Sequence, residues 1–319
     1  VYASDTSFVT LTNSGTEVAR LQLTHSNPVM KNNENRFLTY GIGSSSYEIS
    51  SFDETLYSGN AENKIYTGDV ASNGTYCLVT EDNGYLTTLY AYSKNNNRIY
   101  KYSFSEYYIT SVAINKDGSG CVATGVSSDK GSAVTGVYVL DFSQEKPVST
   151  YKISGDSVLD CKYLTSDTAV LVGSQASYIV KKGEKNYKTV SYEDKTLSNY
   201  CFNTDTSTYT MALSRSGDGR SVALISYNSN GEAQYTINTE HKADSLSVYK
   251  GTVAILDGNV VYGYNQNGDL LYSTNSGTGS KKIVLASDYT AYILSVNQIR
   301  FIDLDSVSSD DTAQTSKQE

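Results

Sequence analysis

The sequence predicts an all-β fold: a β-propeller of eight blades, each made mainly of four antiparallel strands, with seven blades as the alternative. Three observations predict it. Two nine-residue segments, YNSNGEAQY at 227–235 and YNQNGDLLY at 264–272, are near-copies of each other. A longer phrase of two strands recurs roughly every 37 to 49 residues, which is close to the period of a propeller blade. Long stretches of helical periodicity that begin with a capping box are absent from the sequence.

The two near-copies each have the pattern of a β-hairpin. Val260, Tyr262 and Tyr264 alternate with other residues before the Asn-Gln-Asn-Gly segment, and alternation with period two is typical of strands. The Asn-Gly pair is typical of a tight turn, because glycine adopts the positive φ that such a turn requires. Further hairpins of the same plan are predicted at 8–21, 89–102, 137–153 and 177–192.

The two-strand phrase consists of a short strand, a polar turn and an apolar strand, and it precedes most of the hairpins. Seven copies lie at 28–42, 68–81, 110–125, 159–173, 199–213, 244–258 and 281–296. The hairpin at 7–23 is predicted to be the outer half of another blade, whose inner strand is missing or incomplete. A single strand at 298–304 follows the last copy, so the direct count is eight blades with incomplete first and last members. In the seven-bladed alternative, the N-terminal hairpin joins the last copy.

The predicted domain organisation is one propeller at 1–304 followed by a polar C-terminal tail at 305–319. The tail, DSVSSDDTAQTSKQE, has no apolar period. The chain contains no run of 18 apolar residues, so it is not predicted to cross a membrane itself. It begins at VYASDTSFVTL without an initiator Met or a signal peptide, so we expect any membrane anchor to lie upstream of Val1.

The charge balance excludes one class of partner. The net charge is −9 and the sequence pI is about 4.8, and basic residues form only short clusters such as Lys181–Lys182 and Lys281–Lys282. A nucleic-acid-binding surface needs a basic face that neutralises phosphates. We therefore expect no nucleic-acid partner and no adhesion to anionic lipid by charge.

The four cysteines fall at repeated positions. Cys77 and Cys121 occupy the same place in successive blades, and Cys161 and Cys201 share another place. Equivalent positions of neighbouring blades are expected to be too far apart for a disulfide, which requires Cα atoms within about 7 Å. The sequence therefore predicts four buried free thiols that act as small hydrophobic side chains.

The sequence contains no catalytic motif. His25 and His241 are predicted to be surface or turn residues, and no Gly-x-Ser-x-Gly nucleophile elbow is present. Cysteines, histidines and acids are not spaced as metal ligands, so neither a metal nor a cofactor is expected. Asp160, Asp244 and Asp288 lie beside inner strands and are candidates for paired carboxylates in a central funnel, although solvated loop acids are the simpler interpretation.

The 29 tyrosines allow two interpretations, as packing residues and as binding residues. Tyrosine suits half-buried sheet surfaces, so most tyrosines in strands are expected to fill the space between blades. The pair Tyr107–Tyr108 is a candidate rim cluster that binds a glycan or a protein.

Three segments carry a resemblance to a known family. THSNPVMKNNENRFLTYGIG at 24–43, TSVAINKDGSGCVATGV at 110–126 and NQIRFIDLDS at 297–306 resemble phrases of an uncharacterised family of single-pass, membrane-anchored bacterial β-propellers. The resemblance implies an extracytoplasmic propeller held at the plasma membrane by an anchor upstream of this chain, and it assigns no functional residues. The chain is also similar in outline to quinoprotein-like and WD-repeat propellers, but it contains no Trp, which argues against a pyrroloquinoline quinone cofactor.

These observations together predict a function class rather than a reaction. We expect a monomeric, non-catalytic propeller that binds an unknown protein or cell-envelope ligand at the bacterial cell surface. Two alternatives remain open. The first is a hydrolase or lyase that acts on a glycan or lactone through acidic residues in the funnel, and the second is the ligand-sensing ectodomain of a membrane protein.

Overall fold

The computed structural model describes residues 1–215 and 219–304, and this part of the chain is all-β. Its strands form eight antiparallel sheets, six with four strands and two with three, and every sheet has its strands in chain order. The predicted β-propeller of eight blades is therefore confirmed. The predicted tail at 305–319 lies outside the described residues, and the division of the chain at 304 stays a prediction. The described residues form no helix long and apolar enough to cross a membrane.

The chain divides into two compact units. The first comprises Val1–Thr12 and Thr16–Ser191, and the second comprises Asn13–Gly15 and the chain from Tyr192 onward. Sheets 1 to 5 belong essentially to the first unit, and sheets 6 to 8 belong to the second. The sites described below each lie within one unit.

The first unit contains nineteen strands among the described residues. Sheet 1 consists of β1 (Tyr2–Ala3), β2 (Ser7–Leu11) and β3 (Glu17–Gln22). Sheet 2 consists of β4 (Pro28–Asn33), β5 (Arg36–Gly41), β6 (Ser46–Ser50) and β7 (Thr55–Asn60). Sheet 3 consists of β8 (Ile65–Val70), β9 (Tyr76–Thr80), β10 (Thr87–Tyr92) and β11 (Arg98–Phe104). Sheet 4 consists of β12 (Tyr108–Ile114), β13 (Gly120–Asp129), β14 (Ser132–Asp141) and β15 (Ser149–Ser154). Sheet 5 consists of β16 (Val158–Tyr163), β17 (Thr168–Gly173), β18 (Ala176–Lys181) and β19 (Lys188–Ser191).

The second unit continues the same plan. Sheet 6 consists of β20 (Thr196–Asn203), β21 (Thr208–Ser214), β22 (Val222–Asn228) and β23 (Ala233–Thr239). Sheet 7 consists of β24 (Ser245–Tyr249), β25 (Thr252–Asp257), β26 (Val260–Tyr264) and β27 (Leu270–Asn275). Sheet 8 consists of β28 (Ser280–Leu285), β29 (Thr290–Ser295) and β30 (Ile299–Asp303). The seven predicted two-strand phrases are the first two strands of sheets 2 to 8.

The first and last sheets are the two with three strands. In sheet 1, β2 is almost entirely buried and β3 is mostly exposed. In the four-stranded sheets, third strands such as β10 are buried in the same way and fourth strands such as β7 are exposed in the same way. The two-residue strand β1 then stands at the second position, and the sheet has no first strand among the described residues. This confirms the prediction of a first blade with an incomplete inner part. In sheet 8, β28 packs against β24 and β25, so this sheet has its inner strand.

The two near-copies of the sequence form matching turns. Asn228 Oδ1 accepts hydrogen bonds from the backbone N–H groups of residues 230 and 232, and Asn265 Oδ1 does the same for residues 267 and 269. Gly231 and Gly268 have φ values of +69° and +90°, which residues with a Cβ rarely adopt. The two repeated segments therefore form the same type of turn, as the sequence predicted.

The core lies between neighbouring sheets. One cluster joins strands of sheets 3 and 4 around Phe104 and Tyr138, whose rings meet edge to face at 4.9 Å. A second joins sheets 4 and 5, and in the second unit two others join sheets 6 and 7 and sheets 7 and 8. Tyr76, Tyr192 and Tyr209 are among the largest fully buried side chains, so tyrosine fills much of the space between sheets.

Candidate functional site

Charged side chains meet on the first strands of sheets 2 to 5, which pack against one another. Lys31 Nζ on β4 lies 3.8 Å from Asp160 Oδ1 on β16. Lys162 Nζ on β16 lies 3.7 Å from Asp69 Oδ1 on β8 and 3.5 Å from the carbonyl oxygen of Asn32. We call Lys31, Asp69, Asp160 and Lys162 the inner-strand cluster. It joins three of the four first strands through two ion pairs.

Hydrogen bonds hold the two carboxylates of the inner-strand cluster. Asp69 is 1% exposed, and its Oδ2 accepts the backbone N–H of Ile114 on β12 at 2.9 Å. Asp160 Oδ1 accepts the Ser111 hydroxyl at 3.1 Å and the backbone N–H of Cys161 at 2.9 Å. All four first strands are therefore connected through these acids.

The surroundings of Lys31 favour its charged form. Burial lowers the pKa of Lys31, but the carboxylates of Asp160 and Asp69 outweigh this effect and raise the pKa above its ordinary value. A lysine with a raised pKa is a poor nucleophile, because the neutral amine is the reactive form. The cluster contains two lysines and two aspartates, so its formal charges balance. Its ion pairs and hydrogen bonds connect the first strands of sheets 2 to 5.

The three acids predicted beside inner strands have different surroundings. Asp160 lies in a strand rather than a loop and belongs to the inner-strand cluster, so the interpretation as a solvated loop acid is wrong for this residue. Asp244, in the second unit, accepts the backbone N–H of Gly258 at 2.9 Å. Asp288, also in the second unit, accepts the Thr252 hydroxyl at 2.8 Å. The described contacts of the last two are those of loop-stabilising acids.

The histidines both lie in bends, and only one of them is at the surface. His25 is only 6% exposed, so of the two predicted settings, surface or turn, the turn is the one that holds for it. Neither of its ring nitrogens has a hydrogen-bond partner among the described residues. Burial lowers the pKa of His25, against the opposing charge of Glu48. His241 is partly exposed and stacks on Tyr262, with 3.6 Å between the ring centroids.

The cysteines are placed as equivalent pairs, as predicted. Cys77 and Cys121 lie on the second strands of sheets 3 and 4, and Cys161 and Cys201 lie on the first strands of sheets 5 and 6. Cys77 and Cys121 are both free and buried, and burial is the largest cause that raises the pKa of Cys121. Burial raises the pKa of Cys161 to about 12. Cys201 is only partly buried, which corrects the prediction of four buried thiols.

One hairpin extends beyond its neighbours. The strands β13 and β14 have ten residues each, whereas the other second and third strands from sheet 2 onward, in the described chain, have five to seven. Pairing of β12 with β13 ends at Tyr108 and Val126, but pairing of β13 with β14 continues to Asp129 and Ser132. Residues 127–133 therefore project past β12, and we call them the hairpin tip.

A tyrosine packs where the hairpin tip begins. Gly125 on β13 and Gly136 on β14 form a cross-strand pair, and the Tyr107 side chain lies against both. A Cβ atom on Gly136 would lie 2.4 Å from Tyr107 Cδ2, and one on Gly125 would lie 2.9 Å from Tyr107 Cβ. Only glycine leaves room for this side chain. The ring also meets Tyr138 edge to face, so Tyr107 is held in place from two sides.

A pocket of about 230 Å³ opens beside Tyr107. It is lined by Glu106, Tyr107, Ser127, Ser128, Asp129, Val134 and Lys152. Lys152 Nζ lies 3.1 Å from Asp129 Oδ2, whereas Glu106 makes no hydrogen bond or ion pair in the described part of the chain. Tyr108 stands nearby and is 53% exposed. Tyr107 of the predicted rim cluster Tyr107–Tyr108 thus lines a pocket, which we call the hairpin pocket, and Tyr108 is its neighbour in the chain.

Sequence reasoning missed the hairpin tip. Residues 126–136 fall between two predicted elements, the phrase at 110–125 and the hairpin at 137–153, and were not assigned to a strand. A signal was available, because the phrase that starts at residue 110 is followed by the next at residue 159, the widest spacing in the chain. The Lys130–Gly131 pair inside it has positive φ at both residues, which is the conformation of a tight hairpin turn.

Residues 1–304 match the model of a family of unknown function, DUF5711. The chain belongs to the DUF5711 family. This agrees with the uncharacterised propeller family that the sequence resembles, while single-pass anchoring stays a prediction. No curated protein matches this DUF5711 chain in sequence. In the described residues, no group of three or more His, Cys, Asp or Glu is placed to hold a metal ion.

Solved structures share the fold of this DUF5711 chain. The C-terminal WD40 domain of Sif2 superimposes with a TM-score of 0.61 at 15% identity, covering 86% of this chain and 79% of that one. BamB from Moraxella catarrhalis gives 0.60 at 11% identity, with 86% and 84% covered. A eukaryotic initiation factor gives 0.64 at 10% identity, with 95% and 82% covered. Identities this low show the propeller fold alone.

Proposed function

We propose that this protein is a non-catalytic scaffold that binds another protein through the face formed by Tyr107, Tyr108 and the hairpin tip. The observation that carries the proposal is the extension of β13 and β14 beyond the repeat, with a pocket at its base. Extending a hairpin into solvent gains little for the core, because all seven residues of its tip are exposed. An exposed element with a rigid aromatic base suits binding, because tyrosine is enriched among the few residues that dominate the energy of an interface.

The proposal includes a location. We propose that the propeller works outside the cytoplasm, held at the bacterial plasma membrane by an anchor upstream of Val1, as the family resemblance implies. Protease treatment of intact cells that express the full-length protein tests this. Degradation of the propeller without cell lysis is the expected result, and full protection until lysis would contradict it.

The interaction itself is tested by affinity capture from a bacterial envelope extract, read by mass spectrometry. The wild-type protein is compared with the double variant Tyr108→Ser/Ser128→Arg, which removes an exposed ring and places a bulky charge on the hairpin tip. Tyr85→Ser is the matched control, because Tyr85 is also exposed, at 52%, but lies in the β9–β10 connection. We expect a saturable protein partner that the control retains and the double variant loses.

Two outcomes would contradict the scaffold at this face. If the double variant captures the same proteins as the wild type, binding does not use the hairpin tip. If no saturable partner is found at all, the alternatives gain weight, namely a funnel hydrolase or lyase and a ligand sensor.

The enzyme alternative has one specific observation in its favour. Asp69 and Asp160 both lie on inner strands, and each forms an ion pair with one lysine of the inner-strand cluster. Turnover of an envelope glycan or a lactone by the pure protein, abolished in Asp160→Asn, would support this alternative. If the activity persists in this variant, it comes from a contaminant or from another site.

A further inference from the structure

The geometry points to a cationic side chain, arginine or lysine, in an extended segment of the partner protein as the occupant of the hairpin pocket. This inference rests on the proposed function and adds the chemistry of the partner. Three features of the pocket carry it: an uncompensated carboxylate, a fixed aromatic ring beside an exposed one, and a free strand edge.

The carboxylate is that of Glu106. The pocket contains two acids and one lysine, and Lys152 pairs with Asp129 at 3.1 Å. Glu106 is left without a hydrogen bond or an ion pair to any described residue. A guanidinium or ammonium group entering the pocket would compensate this charge, whereas a neutral sugar would not. The whole protein carries a net charge of −9, which also favours the approach of a basic segment.

The aromatic side chains offer the second interaction. A cation placed over a tyrosine ring is attracted by the electron-rich face of that ring. Tyr107 is fixed between the glycine pair and Tyr138, so its ring loses little freedom when a ligand arrives. Tyr108 stands next to it with half of its surface exposed. A cation–π contact and a carboxylate are thus available to one incoming cation.

The free edge explains why the segment is extended. Pairing of β13 with β12 stops at Val126, so Ser127, Ser128 and Asp129 have no β12 residue beside them. Backbone groups on such an edge pair with an incoming strand, which adds main-chain hydrogen bonds to side-chain recognition. The volume of about 230 Å³ accommodates one long side chain rather than a folded element.

The test uses two defined peptides. One is an acetylated and amidated pentapeptide, Ala-Ser-Arg-Ser-Ala, and the other has citrulline in place of arginine, which keeps the shape and removes the charge. Binding to the intact protein is titrated by saturation-transfer NMR at low and at high salt. We expect the arginine peptide to bind at least ten times more tightly than the citrulline peptide, with the difference reduced by salt.

Variants assign the binding to the pocket. Glu106→Gln is expected to weaken binding of the arginine peptide at least tenfold, and Glu145→Gln, in the exposed β14–β15 connection of the same sheet, is expected to leave it unchanged. Equal binding of the two peptides, or an unchanged affinity in Glu106→Gln, overturns the inference. Binding of chitotriose at the same face instead would identify a glycan site and overturn it as well.

The failure of this inference differs from the failure of the proposed function. If the partner is lost in Tyr108→Ser/Ser128→Arg but retained in Glu106→Gln, the scaffold proposal stands and the inference of a cationic side chain fails. If the partner is retained in all of these variants, both fail.

Discussion

Asp156 lies between sheets 4 and 5 and is the acid in the described chain with the richest set of recorded donors. Its carboxylate is 3% exposed and connects the β15–β16 loop with the β17–β18 turn. It accepts hydrogen bonds from the backbone N–H groups of Ser157, Ser174, Gln175 and Ala176 and from the hydroxyl groups of Ser174 and Tyr178. We predict that Asp156→Asn strongly destabilises the first unit.

The magnitude follows from the donors on each oxygen. Asparagine keeps one acceptor oxygen and replaces the other with an NH₂ group, which faces donors instead of accepting from them. The Oδ2 side loses the bonds from Gln175 N at 3.1 Å, Ala176 N at 3.2 Å and the Tyr178 hydroxyl at 2.8 Å. A hydrogen bond to a charged group contributes about 1.5–3 kcal/mol, and the Tyr178 hydroxyl can rotate to accept from the new amide. Two lost bonds then lower the free energy of unfolding by about 3–6 kcal/mol.

The assay is urea unfolding followed by far-UV circular dichroism, since the protein has no tryptophan to report by fluorescence. Asp53→Asn is the control, because Asp53 belongs to the same unit but is exposed and accepts only the Ser51 hydroxyl among the described contacts. The control is expected to unfold within about 0.5 kcal/mol of the wild type. An unfolding free energy of Asp156→Asn that matches the control would refute the argument that this carboxylate satisfies buried donors.

Three other substitutions test the turn, the hairpin pocket and the charge pairs. Gly136→Ala is expected to displace the Tyr107 side chain, cost about 1–3 kcal/mol and abolish the preference for the arginine peptide. Asn265→Ala removes the acceptor of two turn N–H groups and is expected to cost about 1 kcal/mol in urea unfolding. A hydrogen bond from the Lys182 ammonium holds the pKa of Asp141 at about 2. Because the folded state lowers this pKa, the ionised carboxylate stabilises the fold above about pH 4, and the stabilisation is lost as the pH falls through 2. We expect Asp141→Asn to lack this loss, so its unfolding free energy should fall by about 1–2 kcal/mol less than that of the wild type over this pH range.

Each of these substitutions has a matched control. Gly84→Ala places a Cβ where the nearest atom is 3.7 Å away, and it should change neither stability nor peptide binding. Asn267→Ala alters an exposed side chain of the same turn as Asn265, and equal losses in both variants would contradict the role of the Asn265 carbonyl. Asp205→Asn changes an exposed acid, and an identical acid profile in it and in Asp141→Asn would show that the Lys182 contact does not matter.

Local sequence signals predicted the strands and turns of this fold because they act within a few residues. Alternation with period two and the Asn-Gly pairs identified the hairpins, and the structure gives Gly231 and Gly268 the positive φ that the turns require. The same signals identified the first blade as incomplete. The pair Tyr107–Tyr108 was named as a candidate rim cluster, and the structure places Tyr107 at a pocket, while a binding role for the pair stays a prediction.

The inner-strand cluster could not be predicted in the same way. Asp69 and Lys162 are separated by 93 positions, and they meet only because the first strands of sheets 2 to 5 pack side by side. The burial of His25 could not be predicted for a related reason, since a turn in the sequence does not reveal what covers it. Long-range packing decides such contacts, and a single sequence records them only through the residues themselves.

The hairpin tip shows where a repeat sequence carries functional information. Second and third strands of five to seven residues are enough to fill the space between sheets. All the others in the described chain from sheet 2 onward have this length. The additional residues of β13 and β14 leave the core and end in the polar stretch from Ser127 to Ser132, which keeps an exposed edge from random pairing. Burial within this chain does not offset their cost in ordering entropy, and the partner that we propose would bury these residues on binding. The break in the repeat is therefore the observation on which the proposal of a partner rests.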